Sequence, residues 1–116
     1  MLKAYWYKEG YGRTCSKEHS DDLKDQLAHL TNDAIQKKSS LYGKYEQSNK
    51  LSFGDIDIFM RSKEISFKEV LESMKKLAYH SIKSAESSLK GEKNQFNFEI
   101  LGYDFLLDKR GKVWLI

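Results

Sequence analysis

The sequence contains one cysteine and no proline among its 116 residues. Because Cys15 is alone, the chain can form neither an intramolecular disulfide nor a multi-cysteine zinc site, which fits a reducing compartment. No stretch approaches the roughly 18 consecutive apolar residues that a membrane helix needs, and residues 1–10 lack the apolar run of a signal peptide. We therefore expect a soluble, cytoplasmic protein with no membrane partner.

The chain also lacks a strong charge of either sign, since 20 basic residues stand against 17 acidic ones for a net charge of +3. This balance is too even to indicate a nucleic-acid partner. One local surplus exists, because Asp33 and Glu46 are the only acids in a segment that carries four lysines: Lys37, Lys38, Lys44 and Lys50. These lysines either present positive charge to an acidic peptide or only solubilise a loop, and composition favours neither interpretation.

Motifs of the common enzyme classes are missing as well. The chain has no Walker lysine loop, no GxGxxG segment, no nucleophile elbow and no HExxH pair. A catalytic assignment therefore has to come from other patterns.

The first two thirds of the chain predict a hairpin and a long helix. Leu2–Tyr7 and Tyr11–Cys15 are β-prone on either side of a polar turn. Ser66 and Glu69 have the spacing of a capping box, which starts a helix that should reach Lys90. Its apolar side chains recur every three or four residues and form one stripe that faces the core: Phe67, Val70, Leu71, Met74, Leu77, Ala78, Ile82, Ala85 and Leu89.

The last third of the chain predicts strands. Phe96–Ile100 alternates between apolar and polar residues, and Leu101–Leu107 is more continuously apolar. A turn at Asp108–Gly111 leads into the β-prone segment Lys112–Ile116. Together these elements predict an α+β fold in which an antiparallel sheet packs against one long helix.

Asp104 is the acid of greatest chemical interest, because it interrupts an apolar strand in which an unpaired buried charge is costly. A magnesium ion that bridges nucleotide phosphates would compensate this charge, and so would a lysine or arginine at a strand bend. Arg13 follows a glycine at the end of the predicted hairpin, and its planar fork suits a carboxylate or a phosphate. Thr31 and Asn32 offer polar groups to a ribose or phosphate, or they cap the helical turn that follows.

Several segments taken together resemble the tubulin tyrosine ligase-like family, whose members have an ATP-grasp fold and join amino acids to protein tails. The His29–Asn32 tetrapeptide and the late segments are the most specific parts. In chain order the matching segments are Tyr5–Gly10, Arg13–Thr14, His29–Asn32, Ile35–Lys37, Tyr42–Glu46, Phe98–Phe105 and Lys112–Ile116.

The resemblance implies roles for seven residues. Arg13 would be the catalytic residue that engages the incoming amino acid or the terminal phosphate of ATP. Asp104 would be a magnesium ligand. The nucleotide would be bound by His29, Leu30, Thr31, Asn32 and Ile116.

The resemblance also implies the reaction. ATP and Mg²⁺ would activate a carboxylate as an acyl phosphate, and the amine of a free amino acid would attack it to form an amide on a tubulin C-terminal tail. The amino acid would be tyrosine or glutamate: Tyr42–Glu46 leans toward tyrosine, and Asp33 stands where glutamate-adding members usually carry tyrosine. Tubulin as the acceptor implies the cytoplasm, with the cytoskeleton or the cilium as the place of action.

The resemblance finally implies that the domain is partial. In the family a Glu-x-Asn segment with further magnesium ligands follows the position of Ile116, and other nucleotide-binding positions precede that of Met1. We therefore expect residues 1–116 to be part of an ATP-grasp domain truncated at both ends, and the isolated chain to be inactive as a ligase. The alternative is a non-catalytic remnant that binds tubulin or acts as a scaffold.

Overall fold

A computed structural model describes residues 3–44, 46–89 and 97–116. Its residues group into two compact units, one of Tyr7–Phe59 and one of Met1–Trp6 with Met60–Ile116. Within the described residues, no helix is both long and apolar enough to cross a membrane. The elements are β1 (Tyr11–Arg13), α1 (Gln26–His29), α2 (Asp33–Gln36), β2 (Lys50–Ser52), α3 (Phe53–Arg61), α4 (Phe67–Ser84), α5 (Glu86–Leu89), β3 (Phe105–Leu107) and β4 (Val113–Leu115).

The Tyr7–Phe59 unit contains a two-stranded antiparallel sheet of β1 and β2, in which Gly12 lies opposite Leu51. The start of α3 packs directly on β1. A Cβ added to Gly10 would lie 2.4 Å from Cζ of Phe53, and one added to Gly12 would lie 2.7 Å from Cδ1 of Ile56. Glycine at these positions therefore lets the helix approach the strand backbone.

The predicted hairpin of Leu2–Tyr7 with Tyr11–Cys15 is wrong. Lys3–Tyr7 form no strand, Leu2 lies outside the described residues, and β1 pairs instead with β2. The pairing extends past β1, because the Thr14 N–H donates to the carbonyl oxygen of Asn49 at 3.0 Å. High β-propensity shows that a segment suits a pleated surface, but it does not select the partner strand.

The prediction for the start of the long helix is confirmed. Ser66 is the N-cap of α4, and its hydroxyl oxygen accepts a hydrogen bond from the Glu69 N–H at 3.4 Å. The helix is shorter than predicted, because the backbone leaves helical geometry at Ala85 and the short helix α5 follows. Lys90 lies outside the described residues. Four residues of the predicted stripe are buried on α4: Phe67, Val70, Met74 and Ala78.

The strands β3 and β4 form a second antiparallel pair, in which Leu106 lies opposite Trp114. The predicted turn between them is confirmed: the Asp108 carboxylate accepts from the N–H groups of Arg110 at 2.9 Å and Lys112 at 3.0 Å. These two hydrogen bonds lower the pKa of Asp108 below its usual range. β4 packs on α4.

The single predicted sheet is not observed, because the four described strands form two separate two-stranded sheets. Asn97–Ile100 are exposed and form no strand, while Phe96 lies outside the described residues. Alternation of apolar and polar residues predicts a strand only where a partner strand supplies hydrogen bonds, and the described residues give this segment none. The mixed α and β content is as predicted.

Replacing Gly111 with alanine is expected to destabilise the β3–β4 turn. Gly111 has φ +80°, and an added Cβ would lie 2.7 Å from Cγ2 of Ile65. We expect a loss of about 1–2 kcal/mol from the backbone conformation alone, with the steric contact adding to it. Urea denaturation of Gly111→Ala measures the change, and Gly102→Ala is the matched control because no atom lies within 4 Å of its added Cβ. Equal denaturation midpoints for the two variants would contradict this expectation.

Candidate functional site

Arg13 lies at the end of β1, directly opposite Lys50 on β2. Its side chain is exposed, and its guanidinium carbon lies 5.8 Å from the centre of the Tyr11 ring. The ammonium nitrogen of Lys50 lies 5.3 Å from the centre of the same ring. Two cations therefore share one aromatic ring at this edge of the sheet, which makes the edge suitable for an anionic group.

The tetrapeptide His29–Asn32 forms the connection between the short helices α1 and α2. The ring nitrogen Nε2 of His29 lies 3.0 Å from the carbonyl oxygen of Asp22, and its ring packs edge-on against His19. Leu30 is 40% exposed, so this apolar side chain remains accessible at the connection. The connection combines an apolar surface with polar groups, as nucleotide sites commonly do.

Asn32 occupies the N-cap position of α2, but its side chain makes no capping hydrogen bond. Its backbone carbonyl oxygen instead accepts from the N–H groups of Ile35 and Gln36, both at 2.9 Å. The capping role considered for Asn32 is therefore not observed. Its side chain is exposed, which leaves the amide accessible to a ligand.

Gln36 is completely buried and forms a hydrogen bond to the tetrapeptide. Its side-chain nitrogen donates to the carbonyl oxygens of Leu27 at 3.1 Å and Leu30 at 2.6 Å. Its side-chain oxygen accepts from both the N–H and the hydroxyl of Ser16, each at 2.7 Å. One amide therefore joins the His29–Asn32 connection to the chain that follows Arg13.

Asn49 makes a second link of the same kind and is 3% exposed. Its side-chain nitrogen donates to the carbonyl oxygens of Thr14 at 3.2 Å and Thr31 at 2.7 Å. The hydroxyl of Thr14 in turn donates to the carboxylate of Glu46. Sequence reasoning assigned no role to Asn49 or Gln36, because polar residues in polar segments are usually exposed.

The structure thus brings together the predicted site residues of the Tyr7–Phe59 unit. Thr14, next to Arg13, shares the Asn49 amide with Thr31, and Ser16 shares the Gln36 amide with Leu30. The Gln36 amide uses both its nitrogen and its oxygen, whereas the buried oxygen of Asn49 accepts no hydrogen bond from the described residues. The hydrogen bonds of both amides favour one geometry over others, because a broken bond leaves a further unpaired polar group inside the protein.

The predicted site residues of the other unit, Asp104 and Ile116, lie side by side. The Ile116 N–H donates to the carbonyl oxygen of Asp104 at 3.1 Å, which extends the β3–β4 pairing by one residue. Tyr103, just before Asp104, stacks on Phe105 and donates from its hydroxyl to Ser81 on α4 at 3.3 Å. Packing on both sides of Asp104 therefore fixes its backbone.

The prediction that Asp104 is buried within an apolar strand is wrong. Asp104 precedes β3 and its side chain is exposed, so its charge needs no buried partner. Ile116 is 76% exposed and presents an apolar surface next to this carboxylate. The two residues together offer an acceptor and an apolar contact.

Asp104 was also predicted to be a magnesium ligand. Within the described ranges, no group of three or more His, Cys, Asp or Glu side chains is arranged to hold a metal ion. Magnesium in nucleotide sites usually takes one or two protein carboxylates together with phosphate oxygens. Asp104 has one exposed carboxylate, and its role as a magnesium ligand stays a prediction.

The predicted basic segment is partly neutralised. Lys37 forms an ion pair with Asp33 at 2.7 Å, and Asp33 also accepts from the hydroxyl of Tyr42. These hydrogen bonds, that from Lys37 first, lower the pKa of Asp33, while the bond to Asp33 raises the pKa of Lys37. Lys38 and Lys50 are exposed, so their positive charges are accessible to solvent.

Comparisons with known proteins identify relatives along the whole chain. The sequence model of the tubulin-tyrosine ligase family matches residues 1–116. The chain is 30% identical to tubulin glycylase 3B of Tetrahymena thermophila, over 98% of the chain and 10% of that protein. It is 31% identical to the probable alpha-tubulin polyglutamylase Ttll1 of the same organism, over 99% of the chain and 28% of that protein. The chain therefore spans between about a tenth and 28% of the length of these two relatives.

Proposed function

The chain belongs to the tubulin-tyrosine ligase family, and we propose that the protein is an ATP-dependent ligase that attaches an amino acid to a tubulin tail. The observation that carries the proposal is the match of the family's sequence model to all of residues 1–116. The names of the relatives support it, since one is a probable alpha-tubulin polyglutamylase and another a tubulin glycylase.

The proposed reaction makes an amide in two steps. A carboxylate oxygen of the tubulin tail attacks the terminal phosphorus of ATP, which gives an acyl phosphate and releases ADP. The amine nitrogen of a free amino acid then attacks the carbonyl carbon, loses a proton and expels phosphate. Neither step needs a covalent enzyme nucleophile, so catalysis rests on positioning and on neutralising charge.

We assign the residues as follows. Arg13 neutralises charge on the transferred phosphoryl group or binds the carboxylate of the incoming amino acid, because its guanidinium can donate two parallel hydrogen bonds to either. In the Tyr7–Phe59 unit, the nucleotide is contacted by His29, Leu30, Thr31 and Asn32. For Asp104 and Ile116 of the other unit, the resemblance implies a magnesium ligand and a nucleotide contact, and the exposed Asp104 carboxylate would supply one ligand to the ion.

The amino acid that is attached defines the subclass. The sequence predicted tyrosine or glutamate, whereas the relatives named as glycylases add glycine as a third candidate. Because these amino acids differ in side-chain size and charge, one of them should be strongly preferred. Tubulin as the acceptor places the proposed action in the cytoplasm, at the cytoskeleton or the cilium, and residues 1–116 would be part of a larger ATP-grasp domain.

The test is incorporation of labelled amino acid into purified tubulin. The longest natural polypeptide that carries this chain is incubated with tubulin, ATP and tyrosine, glutamate or glycine in turn. We expect incorporation that depends on ATP, for one of the three amino acids, with matching release of ADP. Binding of tubulin without incorporation of any amino acid would favour the non-catalytic alternative.

Reversing the charge of Lys38 is expected to weaken the encounter with the acidic tubulin tail. Lys38→Glu should raise the KM for tubulin by a factor of about 1.5 to 5, which corresponds to the roughly 0.2–1 kcal/mol of an exposed ion pair. The effect should shrink as salt is added, because exposed charges are screened over about 8 Å at physiological ionic strength. Lys68→Glu, on the exposed face of α4, is the charge-matched control. An identical change in both variants would show only an effect of net charge.

A further inference from the structure

We propose that Gln36 and Asn49 are positioning residues, which fix the position of the His29–Asn32 connection relative to Arg13. The inference rests on the proposed function, because it assigns the purpose of the two amides from the roles of the residues they hold. Both side chains are buried and their nitrogens bond to backbone carbonyl oxygens, which is the environment of a supporting residue: Gln36 is 0% and Asn49 3% exposed.

The two amides bond to consecutive residues of the connection. Gln36 donates to the carbonyl oxygen of Leu30 at 2.6 Å, and Asn49 donates to that of Thr31 at 2.7 Å. Two adjacent peptide groups are therefore each fixed by a hydrogen bond from a different buried side chain. Rotation of either peptide would break a buried hydrogen bond, and this cost restricts where the side chains of this connection point.

Both amides also bond to the segment that follows Arg13, Gln36 through its oxygen and Asn49 through the same nitrogen that bonds to Thr31. Gln36 accepts two hydrogen bonds from Ser16, and Asn49 donates to the carbonyl oxygen of Thr14. The backbone of Asn49 also pairs with Thr14, through the Thr14 N–H at 3.0 Å. A connection between two four-residue helices has little rigidity of its own, so these cross-links determine its position relative to β1.

The hydrogen bonds of Gln36 require an amide side chain. Gln36 has to donate two hydrogen bonds and accept two, which an amide does and a carboxylate does not. A glutamate in its place would still accept from Ser16, but it would direct a negative charge at the carbonyl oxygens of Leu27 and Leu30. Serine in place of Asn49 is too short to reach both Thr14 and Thr31, and it introduces no charge.

The experiment compares ATP kinetics of Gln36→Glu and Asn49→Ser with the wild type, in the longest natural polypeptide that carries this chain. We expect the KM for ATP to rise about tenfold or more in both variants, because the groups that bind ATP are displaced; a tenfold change corresponds to about 1.4 kcal/mol of binding free energy. A purely structural role would only reduce the folded fraction. Loss of folded protein lowers the maximal rate and leaves KM unchanged, because KM is measured on folded molecules alone.

Gln26→Glu is the matched control, because this glutamine lies exposed on α1 of the same unit. It should keep the wild-type KM for ATP. Two variants are measured because, if either Gln36→Glu or Asn49→Ser does not fold, the KM for ATP can still be determined for the other. An unchanged KM for ATP in the folded variants would overturn this inference alone, whereas a wild type that neither binds ATP nor modifies tubulin would overturn the proposed function and the inference with it.

Discussion

Replacing Arg13 with alanine is expected to lower kcat/KM for tubulin modification by about 10²–10³, the usual loss when one donor to developing charge is removed from an active site. Arg13 lies exposed at the end of β1, opposite Lys50, where two cations share the face of the Tyr11 ring. Loss of the guanidinium removes a bidentate donor from this edge, and the remaining lysine cannot reproduce its planar geometry.

A second substitution of Arg13 shows whether its planar guanidinium or only its positive charge is needed for activity. Arg13→Lys keeps the positive charge but loses the fork, so it should recover only part of the activity. Arg110→Ala is the matched control, because this arginine is exposed in the turn between β3 and β4. Thermal denaturation of each variant shows whether the fold is retained. Activity of Arg13→Ala close to that of Arg110→Ala would contradict the assigned role.

Replacing Phe67 with alanine is expected to lower the free energy of unfolding by about 3–5 kcal/mol, through lost apolar burial and the cavity left behind. Phe67 begins α4, is 6% exposed and heads the buried stripe of Val70, Met74 and Ala78. Because β4 packs on α4, the cavity would also loosen the strand that leads to Ile116. Chemical denaturation measures the change.

Lys76→Ala is the control for Phe67→Ala, since it lies on the same helix with its side chain exposed. It should change the free energy of unfolding by no more than about 0.5 kcal/mol. Phe67→Leu should lie between the two, because it keeps most of the apolar volume. A cost for Phe67→Ala as small as that for Lys76→Ala would show that this face of α4 is not the core.

The local signals in the sequence predicted local structure well. Ser66 and Glu69 marked the start of α4, because capping depends on residues within one turn. Asp108 and Gly111 marked the turn between β3 and β4 for the same reason. The short Asp108 side chain accepts a hydrogen bond within the turn, and Gly111 adopts positive φ there, so residues of the turn itself determine its geometry. The end of α4 at Ala85 had no such signal, since alanine is the strongest helix former.

The contacts between distant segments were not predictable. The partner of β1 lies nearly forty residues further along the chain, and the nearest β-prone segment, Leu2–Tyr7, was the wrong choice. Burial of Gln36 and Asn49 follows from that pairing, because only the folded arrangement supplies carbonyl oxygens for their amides. The candidate residues themselves came from resemblance to a family, which names positions but not the bonds that hold them.

Mass spectrometry of the tubulin tail shows directly whether this chain is part of a tubulin ligase, as proposed. Tubulin is incubated with ATP, one amino acid and the longest natural polypeptide that carries the chain, and the tail peptides are then analysed by tandem mass spectrometry. We expect a tail peptide heavier by one or more residues of a single amino acid, present with ATP and absent without it or with Arg13→Ala. Tail peptides of unchanged mass with tyrosine, glutamate and glycine alike would contradict the proposed function.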